Sequence, residues 1–281
     1  MTTSGDGKRY TLDDLLNLMA CLRDPQYGCP WDIKQNWASI VPHTLEEAYE
    51  VADAIERGAF DELPGELGDL LFQVIYYTQF GREEGRFDFN DIVHTLTAKM
   101  VARHPHVFPD GTLASRREDM SAAEVEQQQV HSRWETRKAQ ERAGRQAYSA
   151  LDDVPLALPA LSRAQKLSKR AARVGFDWPD SHGAIAKINE ELVEVEEAIS
   201  SGNKNDMHAE LGDLLFSVVN LARQLGIDPE QALRATNAKF ERRFRYVEQA
   251  LAAQGKRCED VPLEEMDYHW DAAKRVEAKR D

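Results

Sequence analysis

The sequence predicts an all-α protein built as two related helical bundles, and three observations carry that prediction. Apolar residues recur at three- and four-residue spacing through most of the chain, the period of a helix with one buried face. No segment sustains the apolar–polar alternation, bounded by turns, that marks a strand. A pattern of acidic residues in the first half returns in the second at a constant offset of 144 positions. That period is too long for a solenoid and marks one unit present twice.

Residues 1–9 read as a disordered lead-in. Tyr10 to Arg23 is an amphipathic helix with Thr11 as its N-cap. Asp24 to Asp32, punctuated by Pro25, Gly28 and Pro30, is expected to be a loop. Thr44 is expected to cap a helix carrying Glu46, Glu47 and Glu50, and Asp61 to Pro64 leads into one carrying Glu66 and Asp69. Phe89 to Arg103 makes a further helix, which the stretch from His104 to Gly111 breaks, and Ser121 to Arg145 reads as a polar helix containing Trp134. A linker over 146–158 divides an N-terminal unit, 1–145, from a C-terminal unit, 159–281. Helices follow at Ala160–Arg173, Ser181–Ser200, Met207–Leu225, Pro229–Ala252 and Leu263–Lys279, with Ser201, Gly202 and Asn203 as a turn.

Charge narrows the partners. Lys and Arg number 35 against 49 Asp and Glu, a net charge of −14, which repels nucleic acids and anionic membranes overall. The three cysteines, Cys21, Cys29 and Cys258, form no zinc pair and no disulfide framework, which suits a reducing compartment. The first residues lack an apolar signal core and no apolar run reaches spanning length, so the expectation is a cytoplasmic protein.

The informative stretch is Lys187 to Phe216. On one helix Ile185, Ile188, Leu192, Val195 and Ile199 form an apolar stripe edged by Glu191 and Glu194, with Glu190 further round. On the next, Leu211, Leu214, Val218, Leu221 and Leu225 form the stripe and Glu210 and Asp213 edge it. Packing stripe on stripe gathers four carboxylates at the rim of one seam. They repel unless a cation sits among them or some are protonated, and an all-oxygen site suits Mg²⁺ or Mn²⁺ with positions left for phosphate oxygens. A single such pattern also fits a solvated helix face. Here Glu46, Glu47, Glu50, Glu66 and Asp69 precede Glu190, Glu191, Glu194, Glu210 and Asp213 by the same 144 positions, and solvated faces do not keep such register.

The combination of Glu-Glu-x-x-Glu, Glu-x-x-Asp, Gly28-Cys29-Pro30-Trp31-Asp32 and Val174-Gly175-Phe176-Asp177-Trp178 resembles the MazG family of nucleoside triphosphate pyrophosphohydrolases over nearly the whole chain. The resemblance implies an all-α fold, a homodimer, and Mg²⁺-dependent cleavage between the α- and β-phosphates of nucleoside triphosphates of broad base type. The products are a nucleoside monophosphate and pyrophosphate. It implies Glu191, Glu194, Glu210 and Asp213 as metal ligands, with Glu47, Glu50, Glu66 and Asp69 as a possible first-unit set, and Glu190 as an outer acid. Lys187, Lys239, Arg242 and Arg243 become phosphate contacts and Trp270 a base contact.

Lys166, Lys169, Arg170 and Arg173 are read as a solvated face, and Phe176 and Trp178 as core or dimer contacts. In the first unit Thr97 stands where the second has Asn237, Pro105 cuts the helix that the second unit continues, and Trp37 replaces the His of many relatives. The second unit is therefore the expected main catalyst. No Gly-x-x-x-x-Gly-Lys-Ser/Thr loop exists, and no His follows a Glu by three, as a di-iron bundle requires. The remaining alternative is a metal-stabilised helical scaffold without catalysis.

Overall fold

The computed structural model describes residues 9–117 and 149–278. The polar helix expected around Trp134 lies outside them. The described residues form ten α-helices and two 3-10 turns, with no strand among them. The chain divides into two compact units, Met1–Glu141 and Arg142–Asp281. No helix among the described residues is long and apolar enough to cross a membrane.

The first unit contains α1 (Leu12–Leu22), α2 (Pro30–Lys34), α3 (Trp37–Arg57), α4 (Leu63–Glu83) and α5 (Phe89–Arg103). Thr11 caps α1 in a reciprocal box: its side chain accepts from the Asp14 N–H, and its own N–H donates to Asp14 Oδ2 at 2.8 Å. Helices α1 and α3 both pack on α4. The buried cluster is Met19, Ile40, Ile75, Tyr76 and Phe80, with Trp37, Phe72 and Tyr77 against it.

Two expectations for this unit are corrected. The loop from Asp24 to Asp32 ends in a short helix, because Pro30 occupies the first helical position, where its missing N–H costs nothing. Helix α3 starts at Trp37 rather than at Thr44. Asn36 Oδ1 accepts from the N–H groups of Ala38 and Ser39, and Ser39 Oγ accepts from the Asn36 N–H, so the cap lies upstream and Pro42 is inside the helix. Thr44 donates to the Ile40 carbonyl at 3.1 Å and lies 2.7 Å from the Tyr77 hydroxyl. Helix α5 ends at Arg103, with His104 out of helical conformation before Pro105, as a residue preceding proline prefers.

The second unit contains α6 (Ala160–Arg173), α7 (Ser181–Ser201), α8 (Lys204–Gln224), α9 (Pro229–Ala252) and α10 (Leu263–Glu277). Helices α7 and α8 form a hairpin across Gly202, at φ 73°, and Asn203. The Asn203 side chain accepts from the Asn205 N–H, so α8 begins at Lys204, ahead of the expected Met207. Helix α6 packs on α8 and α9, and α9 on α10. Arg170 is not a solvated residue: it donates to the Asp152 carbonyl at 2.6 Å, while Lys166 and Lys169 are exposed. Phe176 is exposed rather than core, and the Trp178 ring covers Gly183.

The apolar stripe expected on α7 is split between two faces. Ala184, Glu191 and Ala198 are buried in the seam with α8, where the alanines let the helices approach. Ile185, Leu192 and Ile199, expected in that seam, are 46%, 46% and 60% exposed. On α8, Ser217, Val219 and Asn220 are buried while Leu211, Val218 and Leu225 are exposed. Both exposed rows keep a seven-residue spacing.

Candidate metal and nucleotide site

In the second unit one carboxylate oxygen each of Glu191, Glu194 and Glu210 lies within 4.8 Å of the other two. The first two stand nearly a turn apart on α7, and the Gly202 turn returns α8 so that Glu210 faces them. Glu191 is 3% exposed, so it occupies the middle of the seam rather than its rim. Its Oε1 is 2.7 Å from Lys187 Nζ, and its Oε2 is buried without a hydrogen-bond partner among the described residues. A buried carboxylate oxygen left without a partner is costly. An all-oxygen donor set with one buried oxygen unsatisfied fits a hard divalent cation.

The other expected residues are disposed around this trio. Asp213 is exposed, one turn beyond Glu210 on α8 and outside the group of three. Glu190 is exposed and accepts from Lys187 Nζ at 2.8 Å. Its hydrogen bonds to Glu190 and Glu191 raise the Lys187 ammonium above its ordinary range, so it stays charged. Burial raises the Glu194 carboxyl, and the Glu191 and Glu210 charges add to this against the opposing pull of Lys187.

The first unit gathers Glu47 from α3 with Glu66 and Asp69 from α4 inside the same 4.8 Å limit. Glu50 is not one of these three, but it shares a hydrogen bond with Glu47. Burial first, then that bond and the charges of Glu50, Asp69 and Glu46, raise the Glu47 carboxyl. The Gln73 amide lies 3.5 Å from Glu47 Oε1, where the second unit has Ser217. At the register of Lys187 stands His43, with Nδ1 3.7 Å from Glu46 and its ring edge-on to Trp31. Applying the 144-residue offset to Lys187 would have revealed this exchange.

The expected phosphate and base contacts lie on α9 and α10. Arg243 donates to Glu277 at 2.7 Å and its guanidinium sits 5.7 Å from the Trp270 ring centre, which also meets Phe240 at 5.1 Å. Arg242 pairs with the same Glu277 at 3.6 Å. The Arg243 hydrogen bond is the main reason the Glu277 carboxyl sits below its ordinary range. Sequence reading did not single out Glu277, although two adjacent arginines call for a counter-charge. Among the described residues no ion pair joins Lys239, Arg242 or Arg243 to the acidic trio.

Residues 35–108 and 180–247 each match the family model described as the MazG nucleotide pyrophosphohydrolase domain. One acidic trio falls in each matched segment. The chain is 51% identical over 268 residues to the nucleoside triphosphate pyrophosphohydrolase of Escherichia coli (strain K12), covering 95% of this chain and 98% of that protein. It is 40% identical over 262 residues to the nucleoside triphosphate pyrophosphohydrolase/pyrophosphatase MazG of Thermotoga maritima, covering 93% and 95%. A Mycolicibacterium smegmatis nucleoside triphosphate pyrophosphohydrolase is 29% identical over 90% of the chain and 64% of its own length. With both halves matched and relatives aligned nearly end to end, the chain belongs to the MazG nucleotide pyrophosphohydrolase family.

Proposed function

We propose that this protein is a cytoplasmic nucleoside triphosphate pyrophosphohydrolase that maintains the nucleotide pool, releasing pyrophosphate and a nucleoside monophosphate from triphosphates of broad base type. The names of its relatives support the activity, and the observation that carries the site is the unsatisfied Glu191 Oε2 inside a carboxylate trio. Glu191, Glu194 and Glu210 hold Mg²⁺, with Mn²⁺ as a substitute, and Asp213 completes the set from the next turn. When bound, the cation neutralises phosphate charge and acidifies a water.

The chain's own groups do the rest. Lys187 neutralises Glu191 and is placed to reach a phosphate oxygen. Glu194 takes the proton from the attacking water, and Glu190 is the outer acid that positions it. Lys239, Arg242 and Arg243 grip the polyphosphate, the arginines through their planar forks, and Trp270 packs beside the base. The first unit keeps the acids Glu47, Glu50, Glu66 and Asp69 as a second cation site, but His43 and the helix end before Pro105 weaken its phosphate grip. We take 146–158 as the join between units 1–145 and 159–281.

The working molecule is a homodimer in this reading. Ile185, Leu192 and Ile199 on α7, with Leu211, Val218 and Leu225 on α8, form seven-residue rows of the kind that pack on a partner helix. A second copy covers them and turns each hairpin into half of a four-helix arrangement. The net charge of −14 supports a small-molecule substrate over nucleic acid or membrane.

Pyrophosphate release from ATP with Mg²⁺ tests the activity, with Glu194→Ala expected to abolish it and Glu50→Ala to leave most of it. Release at an undiminished rate from Glu194→Ala would return the protein to the scaffold reading.

A further inference from the structure

Helix α10 ends on an acid. Glu277 is its last residue, and a negative charge in a closing turn lies against the negative end of the helix dipole. Lys274 and Arg275 of the same turn are the kind of residue that end prefers. Nothing local to α10 therefore favours Glu277, and its partners are on α9. Arg243 Nε donates to Glu277 Oε2 at 2.7 Å, and Arg242 Nε stands 3.6 Å from Oε1. The first contact is a hydrogen bond and the second a longer, looser ion pair. Exposure follows the same order: the Arg243 side chain is 20% exposed and that of Glu277 28%, against 64% for Arg242. Arg243 is thus held in place, while Arg242 reaches into solvent.

The hold is one-sided. Glu277 takes the Nε hydrogen of Arg243 alone, whereas Glu83 takes both Nε and a terminal nitrogen of Arg23. A guanidinium has five N–H donors in a rigid fork, so the terminal nitrogens of Arg243 are left for another anion. The Trp270 ring centre lies 5.7 Å from the guanidinium carbon, within cation–π range, and meets Phe240 at 5.1 Å. A carboxylate at one edge and an indole across one face fix both the position and the plane of the group. Helix α10 supplies the two of them, beyond residues 180–247 that match the family.

We propose that Glu277 is a positioning residue of the nucleotide site, holding Arg243 by its Nε edge so that the two terminal nitrogens present a ready fork to the triphosphate. Glu277 acts through Arg243 and touches no substrate. The gain is entropic, because an arginine already ordered loses less freedom on binding. A carboxylate beside a phosphate site otherwise works against binding, since its charge repels the ligand. The two effects have opposite signs, so an affinity measurement separates them. This role rests on Arg243 being a phosphate contact, as proposed above.

The test is calorimetric binding of α,β-methylene adenosine triphosphate with Mg²⁺ to the full chain, with pyrophosphate release from ATP measured alongside. Glu277→Ala is expected to weaken the analogue about fivefold, the scale of one immobilised side chain, and to raise KM more than it lowers kcat. Glu277→Gln keeps an acceptor for Nε and is expected to restore most of the affinity. In an Arg243→Ala background, adding Glu277→Ala should weaken binding no further, as a residue acting through another requires. Unchanged or tighter binding by a folded Glu277→Ala overturns the proposal, and so does an equal loss in the Arg243→Ala background. If Arg243→Ala itself binds the analogue as the wild type does, the phosphate role of Arg243 falls and the proposal falls with it.

Discussion

Arg23 and Glu83 meet in a two-pronged pair between α1 and α4, Nε to Oε1 at 2.8 Å and the terminal nitrogen to Oε2 at 2.6 Å. The same guanidinium donates to the Asp32 and Gln35 carbonyls and lies 4.4 Å from the Phe80 ring centre, so one side chain pins α1, α2 and the start of α3 to the core. Glu83→Gln is expected to cost about 1–2 kcal/mol in chemical unfolding, since Arg23 is nearly buried while Glu83 still touches water. The Arg23 bond holds the Glu83 carboxyl below its ordinary range. Its stabilisation is therefore complete above that range and lost as pH falls through the lowered value. Glu83→Gln should flatten the acid limb of the stability profile, and an unchanged limb would rule the pair out as its cause.

Glu194 titrates in the opposite sense. Its raised carboxyl favours the protonated form in the fold, so without a cation its contribution is present in acid and disappears as pH rises through the raised value. A divalent cation reverses this preference. Mg²⁺ should raise the melting temperature at neutral pH and lose that effect in acid, and Glu194→Gln should shrink the difference. A Mg²⁺ shift independent of pH would place the cation elsewhere.

Lys187 bridges Glu190 and Glu191 at 2.8 and 2.7 Å. Lys187→Met removes the charge facing a nearly buried carboxylate. The variant is expected to melt earlier without Mg²⁺, to be rescued disproportionately by it, and to lose at least about tenfold in kcat/KM, the scale of a lost outer contact at a metal site. Unaltered melting would show that the bridge is dispensable.

Gly183 leaves room for an indole. A Cβ there would fall 2.4 Å from Trp178 Cδ1, so Gly183→Ala must displace the ring. A cost of about 1–3 kcal/mol is expected, as for other overpacked contacts, together with altered tryptophan emission. Unchanged emission and stability would mean the ring is free to move.

Leu192 and Leu211 sit in the exposed rows of α7 and α8. Leu192→Glu with Leu211→Glu should halve the sedimenting mass while helical content stays constant. A monomeric wild type would remove the reason for those rows to be apolar.

Most helices were legible because their amphipathic period is strong. Thr11 and Gly202 mark ends that local chemistry alone determines. Thr44 has the chemistry of a cap, yet the helix runs on upstream of it through Pro42, because the capping box at Asn36 and the core contacts of Ile40 outweigh one missing N–H. The spacing of the acids carried the candidate site, but the period could not say which side of α7 meets α8. Ala184 and Ala198 decide that by their size, and they move Glu191 from the edge to the middle of the seam. Nor does periodicity reveal that Asn220 lines a cavity, which only comparison with its bulky buried counterpart 144 positions earlier, Tyr76, brings out.

Only Gly202 and Asn203 separate α7 from α8. Every acid of the second trio therefore comes from neighbouring stretches of chain, and closing so small a loop costs little entropy. Such short-range pairs form early. The trio is thus assembled by a single hairpin, and its geometry owes nothing to the more distant pairing of α9 with α10.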